Sequence, residues 1–107
     1  MTRITFVHSR NRLQSIDAED GTSVMQEALR HGVRGIVAEC GGNAICATCH
    51  VYVEESWLAK LEPVGEGEDL SLDEAAARRL PNSRLSCQIR ITPRLDGLRL
   101  TLPDRQT

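Results

Sequence analysis

Four cysteines constrain this chain more than any other feature. Cys40, Cys46 and Cys49 share one short stretch with the spacing C-x5-C-x2-C, and Cys87 follows after 37 intervening residues. The N-terminus, Met1 to His8, lacks the apolar stretch of a secretory signal. The thiols are therefore expected in a reducing compartment, where a metal or cluster site is a better reading than two disulfides. Zinc sites usually take two C-x2–4-C knuckles. Here only Cys46 and Cys49 form such a pair. Three cysteines in one loop with a fourth from afar is instead the pattern of a 2Fe–2S centre. Plant-type ferredoxins place four residues between the first two ligands, and this chain places five. A Rieske centre needs two histidines, and no Cys-x-His pair occurs.

The composition of the loop supports the cluster reading. Gly41 and Gly42 allow the backbone to approach closely and to take positive φ, while Ala44, Ala47 and Thr48 keep the wrap tight. Two ferric irons, two sulfides and four thiolates carry a formal charge of about −2, so hydrogen-bond donors around them matter.

At 107 residues the chain is expected to form one domain. Apolar residues make up 40% and charged residues 26%, a globular rather than a disordered balance. Aromatics are only 3%, too few for base-stacking platforms, and no nucleic-acid partner is expected. No apolar run approaches the ~20 residues of a membrane span, so no membrane partner and a cytoplasmic location are expected. Net charge is −2, but residues 54–74 hold eight acids and Lys60 alone, for −7, leaving +5 elsewhere. That segment is either a solvated face or a surface that steers a basic partner.

The local pattern predicts an α+β fold: a small mixed sheet with a few short helices. Ile4–Val7 and Leu13–Ile16 read as a hairpin, Asp20-Gly21 as a turn, and Ser23 with Gln26 as a capping box. That box opens a helix to His31, with Gly32 beyond it. His50–Val53 reads as a strand, Trp57–Leu61 as a helical turn and Gly65–Glu68 as loop. Ser71 and Glu74 make a second possible capping box, opening a helix through Leu80. Cys87–Ile91 and Leu98–Leu102 alternate and read as strands.

Glu39 to Val53 resembles the cluster loop of the adrenodoxin/putidaredoxin-type 2Fe–2S ferredoxins, and Pro81 to Ile89 resembles the segment that brings their fourth ligand. The resemblance extends to Ser23-Val24-Met25-Gln26, Gly35-Ile36-Val37 and the tail Leu95 to Gln106, so it spans essentially the whole chain. It implies the β-grasp ferredoxin fold, with a core of about 1–53 and 81–107 and an acidic interaction region at about 54–80. It implies one 2Fe–2S cluster on Cys40, Cys46, Cys49 and Cys87. Gly41, Gly42, Thr48, His50 and Arg84 are expected to support the cluster loop. The implied role is that of a monomeric bacterial one-electron shuttle and not an enzyme. It would take electrons from a flavin-containing (FAD) NAD(P)H-dependent ferredoxin reductase and deliver them to a monooxygenase of the cytochrome P-450 class. Glu39, Glu68, Asp69, Asp73 and Glu74 fall where such members dock their partners. Two features depart from the pattern: the chain ends in Thr107 where putidaredoxin-like members carry an aromatic, and the acidic region holds Arg78 and Arg79. A ferredoxin for iron–sulfur cluster assembly shares the cysteine spacing, and a zinc-stabilised module without redox activity is the reading from a different class.

Overall fold

The computed structural model describes residues 2–8, 12–33, 50–73, 75 and 77–103. Alternation of apolar and polar residues produces β1 (Thr2–Val7), which buries Ile4 and Phe6. It pairs antiparallel with β2 (Leu13–Ala18), whose Ile16 and Ala18 are buried. Asp20 and Gly21 turn the chain, with Gly21 at φ +93°. Helix α1 (Val24–Arg30) starts at a complete capping box. Ser23 Oγ accepts from the Gln26 N–H at 3.1 Å, and Gln26 Oε1 accepts from the Ser23 N–H at 2.9 Å. It stops at His31, followed by Gly32 at φ +68°, the left-handed conformation that favours glycine after a helix.

After the segment 34–49 come β3 (His50–Val53), the short helix α2 (Glu55–Leu58), α3 (Glu66–Asp73), β4 (Ser83–Leu85) and β5 (Leu98–Thr101). The five strands form one mixed sheet in the order β2-β1-β5-β3-β4. β5 lies parallel to β1 and antiparallel to β3, so two strands from opposite ends of the chain form its centre. Val24, Met25 and Ala28 of α1 join Ile4, Phe6, Leu98 and Leu100 in one apolar cluster. Among the described residues no helix is long and apolar enough to cross a membrane.

Both ends of the sequence give the expected α+β elements, but the stretch from 55 to 91 departs from its local signals. The helical turn near Trp57 begins earlier, at Glu55. Gly65–Glu68, expected as loop, is instead the entry to α3. Glu66, Glu68 and Asp69 occupy its first turn, where the positive end of the helix dipole favours carboxylates. The helix expected from Ser71 through Leu80 does not form. α3 ends at Asp73, and 77–80 is non-helical. Tertiary hydrogen bonds hold that stretch instead: Tyr52 Oη donates to the Arg78 carbonyl, and the Leu80 N–H donates to Ser83 Oγ at 2.8 Å. Cys87–Ile91 is not a strand either. The strand precedes it as β4, and Ser86–Gln88 form one turn of 3-10 helix.

Candidate metal centre

Cys87 sits on that 3-10 turn and is half-buried. Two sets of backbone bonds fix the turn from either side. Upstream, β4 pairs antiparallel with β3, matching His50 with Leu85 and Tyr52 with Ser83. Downstream, Ile89 O accepts from the Val24 N–H at 2.9 Å, the Gly21 N–H donates to Ile91 O at 2.8 Å, and the Ile91 N–H donates to Thr22 O at 2.8 Å. Cys87 is thus held between the sheet edge and the start of α1. The register also brings the start of β3, which directly follows Cys49 in sequence, to the same end of the ladder as Cys87. Cys40, Cys46 and Cys49, together with Glu39, Gly41, Gly42, Thr48 and Glu74, lie outside the described residues. Among the described residues no group of three or more Cys, His, Asp or Glu side chains is arranged to hold a metal.

His50 is fully buried. Its Nε2 lies 2.8 Å from Ser83 Oγ, and its ring meets the Tyr52 ring edge-on at 4.7 Å between centroids. Burial, with a smaller contribution from the charge of Arg79, lowers its pKa from 6.5 to about 4, so the imidazole is neutral near pH 7. Ser83 Oγ also accepts from the Leu80 N–H, so one hydroxyl ties together β3, β4 and the stretch before it.

Arg84 and Glu68 form a buried bidentate pair. Arg84 Nε donates to Glu68 Oε2 at 2.7 Å and Nη2 donates to Oε1 at 3.1 Å, with both side chains nearly inaccessible. The Leu85 N–H donates to the same carboxylate at 2.9 Å, and Arg84 Nη1 donates to the Glu62 carbonyl at 2.8 Å. Glu68 therefore anchors α3 to the strand that leads into Cys87. This corrects its expected docking role: a carboxylate turned inward and saturated with donors offers nothing to a partner. Asp69 and Asp73 are on the surface, as docking residues must be, but Arg79 bridges them at 2.6 and 2.7 Å. Hydrogen bonds to Asp69 first and Asp73 second push the Arg79 pKa above its ordinary value.

Sequence reasoning missed the partnership of Glu68 with Arg84. The strand Ser83–Leu85 is buried on all its residues, and a buried arginine requires an inward-facing acid, but that burial is a property of the fold that no local sequence signal carries. The surroundings of Cys87 suit an anionic iron–sulfur group. The thiol is a soft donor, and Gln88 Nε2 lies 3.5 Å from Sγ. A cavity of about 340 Å³ beside it is lined by Thr22, Ser23, Gln26 and Gln88, with Glu62 and Arg90 of opposite charge also in its wall.

The family model for the 2Fe-2S iron-sulfur cluster binding domain matches residues 7–92. The chain is 45% identical to rhodocoxin of Rhodococcus erythropolis over 106 residues, covering 99% of each. Among solved structures it resembles a ferredoxin from Rhodopseudomonas palustris HaA2, with a TM-score of 0.96 and 62% identity over 98% of this chain and 99% of that one. It also resembles putidaredoxin in a covalent complex between putidaredoxin reductase and putidaredoxin, with a TM-score of 0.94 and 44% identity over 97% and 100%. The mixed five-stranded sheet with few short helices is the β-grasp arrangement of these proteins. The chain belongs to the 2Fe–2S ferredoxin family, and it is an electron carrier with one 2Fe–2S cluster.

Proposed function

We propose that this ferredoxin carries single electrons from a flavin-containing NAD(P)H-dependent reductase to a cytochrome P-450-class monooxygenase in the bacterial cytoplasm, and is not itself an enzyme. The observation that carries this reading is the near full-length likeness to putidaredoxin in complex with its reductase, at 44% identity. The likeness to rhodocoxin points the same way and favours this role over cluster assembly.

Cys40, Cys46, Cys49 and Cys87 are the proposed ligands, and the cluster they hold supplies a one-electron couple. The chain is read as one domain, with its core at about 1–53 and 81–107 and the acidic region at 54–80. Within it, the chain's own residues position and insulate. Arg84 and Glu68 brace the strand before Cys87. His50, neutral and buried, packs the start of β3 without adding charge. Gly41, Gly42 and Thr48 are proposed to shape the cysteine loop. Docking is assigned to Glu39, Asp69, Asp73 and Glu74, with Glu68 removed for the reason given above.

Reconstitution tests the reading. The ferredoxin is added at limiting concentration to a ferredoxin reductase and candidate monooxygenases, and NADH consumption and oxidised product are scored. Ferredoxin-dependent product supports the proposal, and reduction without delivery to any monooxygenase overturns the partner assignment. Iron and acid-labile sulfide should each approach about two per chain. Stoichiometric zinc without sulfide would exclude the four-cysteine cluster. The cysteine→serine variants should each lose visible absorbance, and a variant that retained the full spectrum would remove that cysteine from the ligand set.

A further inference from the structure

Below α2, between the 60–62 stretch and the turn that follows Ile91, lies a cleft of about 200 Å³. Four cationic side chains line it: Lys60, Arg84, Arg90 and Arg94. Among the described residues, Glu62 supplies the only carboxylate in its lining. With Glu68 counted against Arg84, the cleft keeps a formal charge of +2. Arg90 and Arg94 are exposed and make no ion pair or side-chain hydrogen bond among the described residues, and Lys60 only rests over the Trp57 ring at 4.5 Å. Arg84 spends three of its five N–H groups on Glu68 and the Glu62 carbonyl, which leaves two. Elsewhere Arg3, Arg30, Arg79 and Arg99 each lie against an acid. Like charges gathered around one concavity repel one another, and an anion between them relieves that repulsion.

We infer that this cleft is a binding site for a compact oxyanion of the phosphate class, held by Arg90 and Arg94 with Lys60 and Arg84. Planar guanidinium groups match the oxygens of a tetrahedral oxyanion and bind them in pairs. The volume is below the ~300–1,000 Å³ of a pocket for a drug-sized molecule, so the site takes a phosphoryl-sized group and not a whole nucleotide. The buried side chains of Ile89 and Leu95 form part of the wall and lower the local dielectric.

The position gives such an anion a consequence. Glu62, Gln88 and Arg90 line both this cleft and the neighbouring cavity that Cys87 also lines. This second step rests on the reading of Cys87 as a cluster ligand. Reduction adds one electron, and therefore one negative charge, on the far side of that shared wall. The oxidised protein must then bind the anion more tightly than the reduced protein, and by reciprocity the bound anion must make the protein harder to reduce. A tenfold affinity ratio between the two states corresponds to a downward shift of about 59 mV for a one-electron couple.

The test uses the oxidised holoprotein and inorganic phosphate, titrated calorimetrically at constant ionic strength with chloride as the replaced ion. The expected result is saturable binding of one phosphate per chain. It should weaken at least tenfold in the R90Q/R94Q variant and less in K60Q, with the visible spectrum and melting temperature of both variants unchanged. Non-saturable heats, or equal affinity in wild type and R90Q/R94Q, would overturn the site. The midpoint potential is then measured with and without saturating phosphate. A downward shift in wild type that is absent in R90Q/R94Q supports the coupling, and bound phosphate with an unmoved or raised potential overturns it. No partner protein enters either measurement, so the result is independent of whether the reductase and monooxygenase assignment holds.

Discussion

The acidic segment and the basic cleft show how differently charge is carried along a chain and across a surface. Residues 54–74 total −7 in sequence, yet the structure withdraws part of that charge. Glu68 is buried on Arg84, and Arg79 straddles Asp69 and Asp73, so this triad presents about one net negative charge where the sequence counts two. The bases of the cleft are dispersed in sequence, at 60, 84, 90 and 94, and form no run. Folding gathers them, and among the described residues two of them, Arg90 and Arg94, make no ion pair. The acids of the run are offset only where the fold sets a base across from them, Arg84 for Glu68 and Arg79 for Asp69 and Asp73, whereas the scattered bases are brought together by packing.

The largest effect is expected at Glu68. If it is a structural acid, Glu68→Ala leaves Arg84 charged, buried and unpaired, and should cost about 3–5 kcal/mol. For a domain of this size the melting temperature should fall by roughly 12 °C or more, read by thermal denaturation of the holoprotein. The double replacement E68L/R84M should cost less than Glu68→Ala alone, because it removes both charges together. A melting temperature unchanged by Glu68→Ala would return Glu68 to the surface.

The surface acids should behave in the opposite way. D69N/D73N should change stability by no more than about 1 kcal/mol, since exposed ion pairs contribute little. Its effect should fall on association with the reductase, which should slow about two- to tenfold at low salt and converge with wild type as the Debye length shrinks. Stopped-flow reduction across a salt series measures this, and parallel curves with equal rates would reduce the segment to a solvated face.

Arg79→Gln should act in the opposite direction. Freeing Asp69 and Asp73 from their bridge restores the negative charge counted in the sequence. Reductase association at low salt should then rise by about twofold or more and acquire a steeper salt dependence. A slower rate would mean that Arg79 itself contacts the partner. The smallest effect is expected at the cleft: in phosphate-free buffer R90Q/R94Q should lie within about 0.5 kcal/mol of wild type, because no acid loses its partner. A larger loss, seen in denaturant melts, would reveal a structural role for these arginines.

The elements that sequence alone made legible are those written in local code. The hairpin follows from alternation of Ile4 and Phe6 with polar neighbours, and α1 from Ser23, Gln26 and Gly32, all within a few residues of the ends they define. Between 62 and 91 the chain departs from its local signals because its conformation answers to distant partners. Three consecutive alanines after Glu74 favour helix, but the bonds from Tyr52 to Arg78 and from Ser83 to Leu80 hold part of that stretch away from it. Cys87–Ile91 alternates like a strand, yet the Ile89 carbonyl and Ile91 backbone are engaged with 22–24, which leaves a 3-10 turn at the thiol.

The chemistry of this protein is legible without a fold: four cysteines at an iron–sulfur spacing point to the 2Fe–2S cluster of the family, and through it to one-electron transfer. Covalent spacing sets which thiols lie within reach of one another, and that is readable without a fold. Which charges face the solvent is set by folding. Whether a carboxylate docks a partner or braces a strand depends on what lies across from it, and for Glu68 that is Arg84, sixteen residues away in sequence and 2.7 Å away in space.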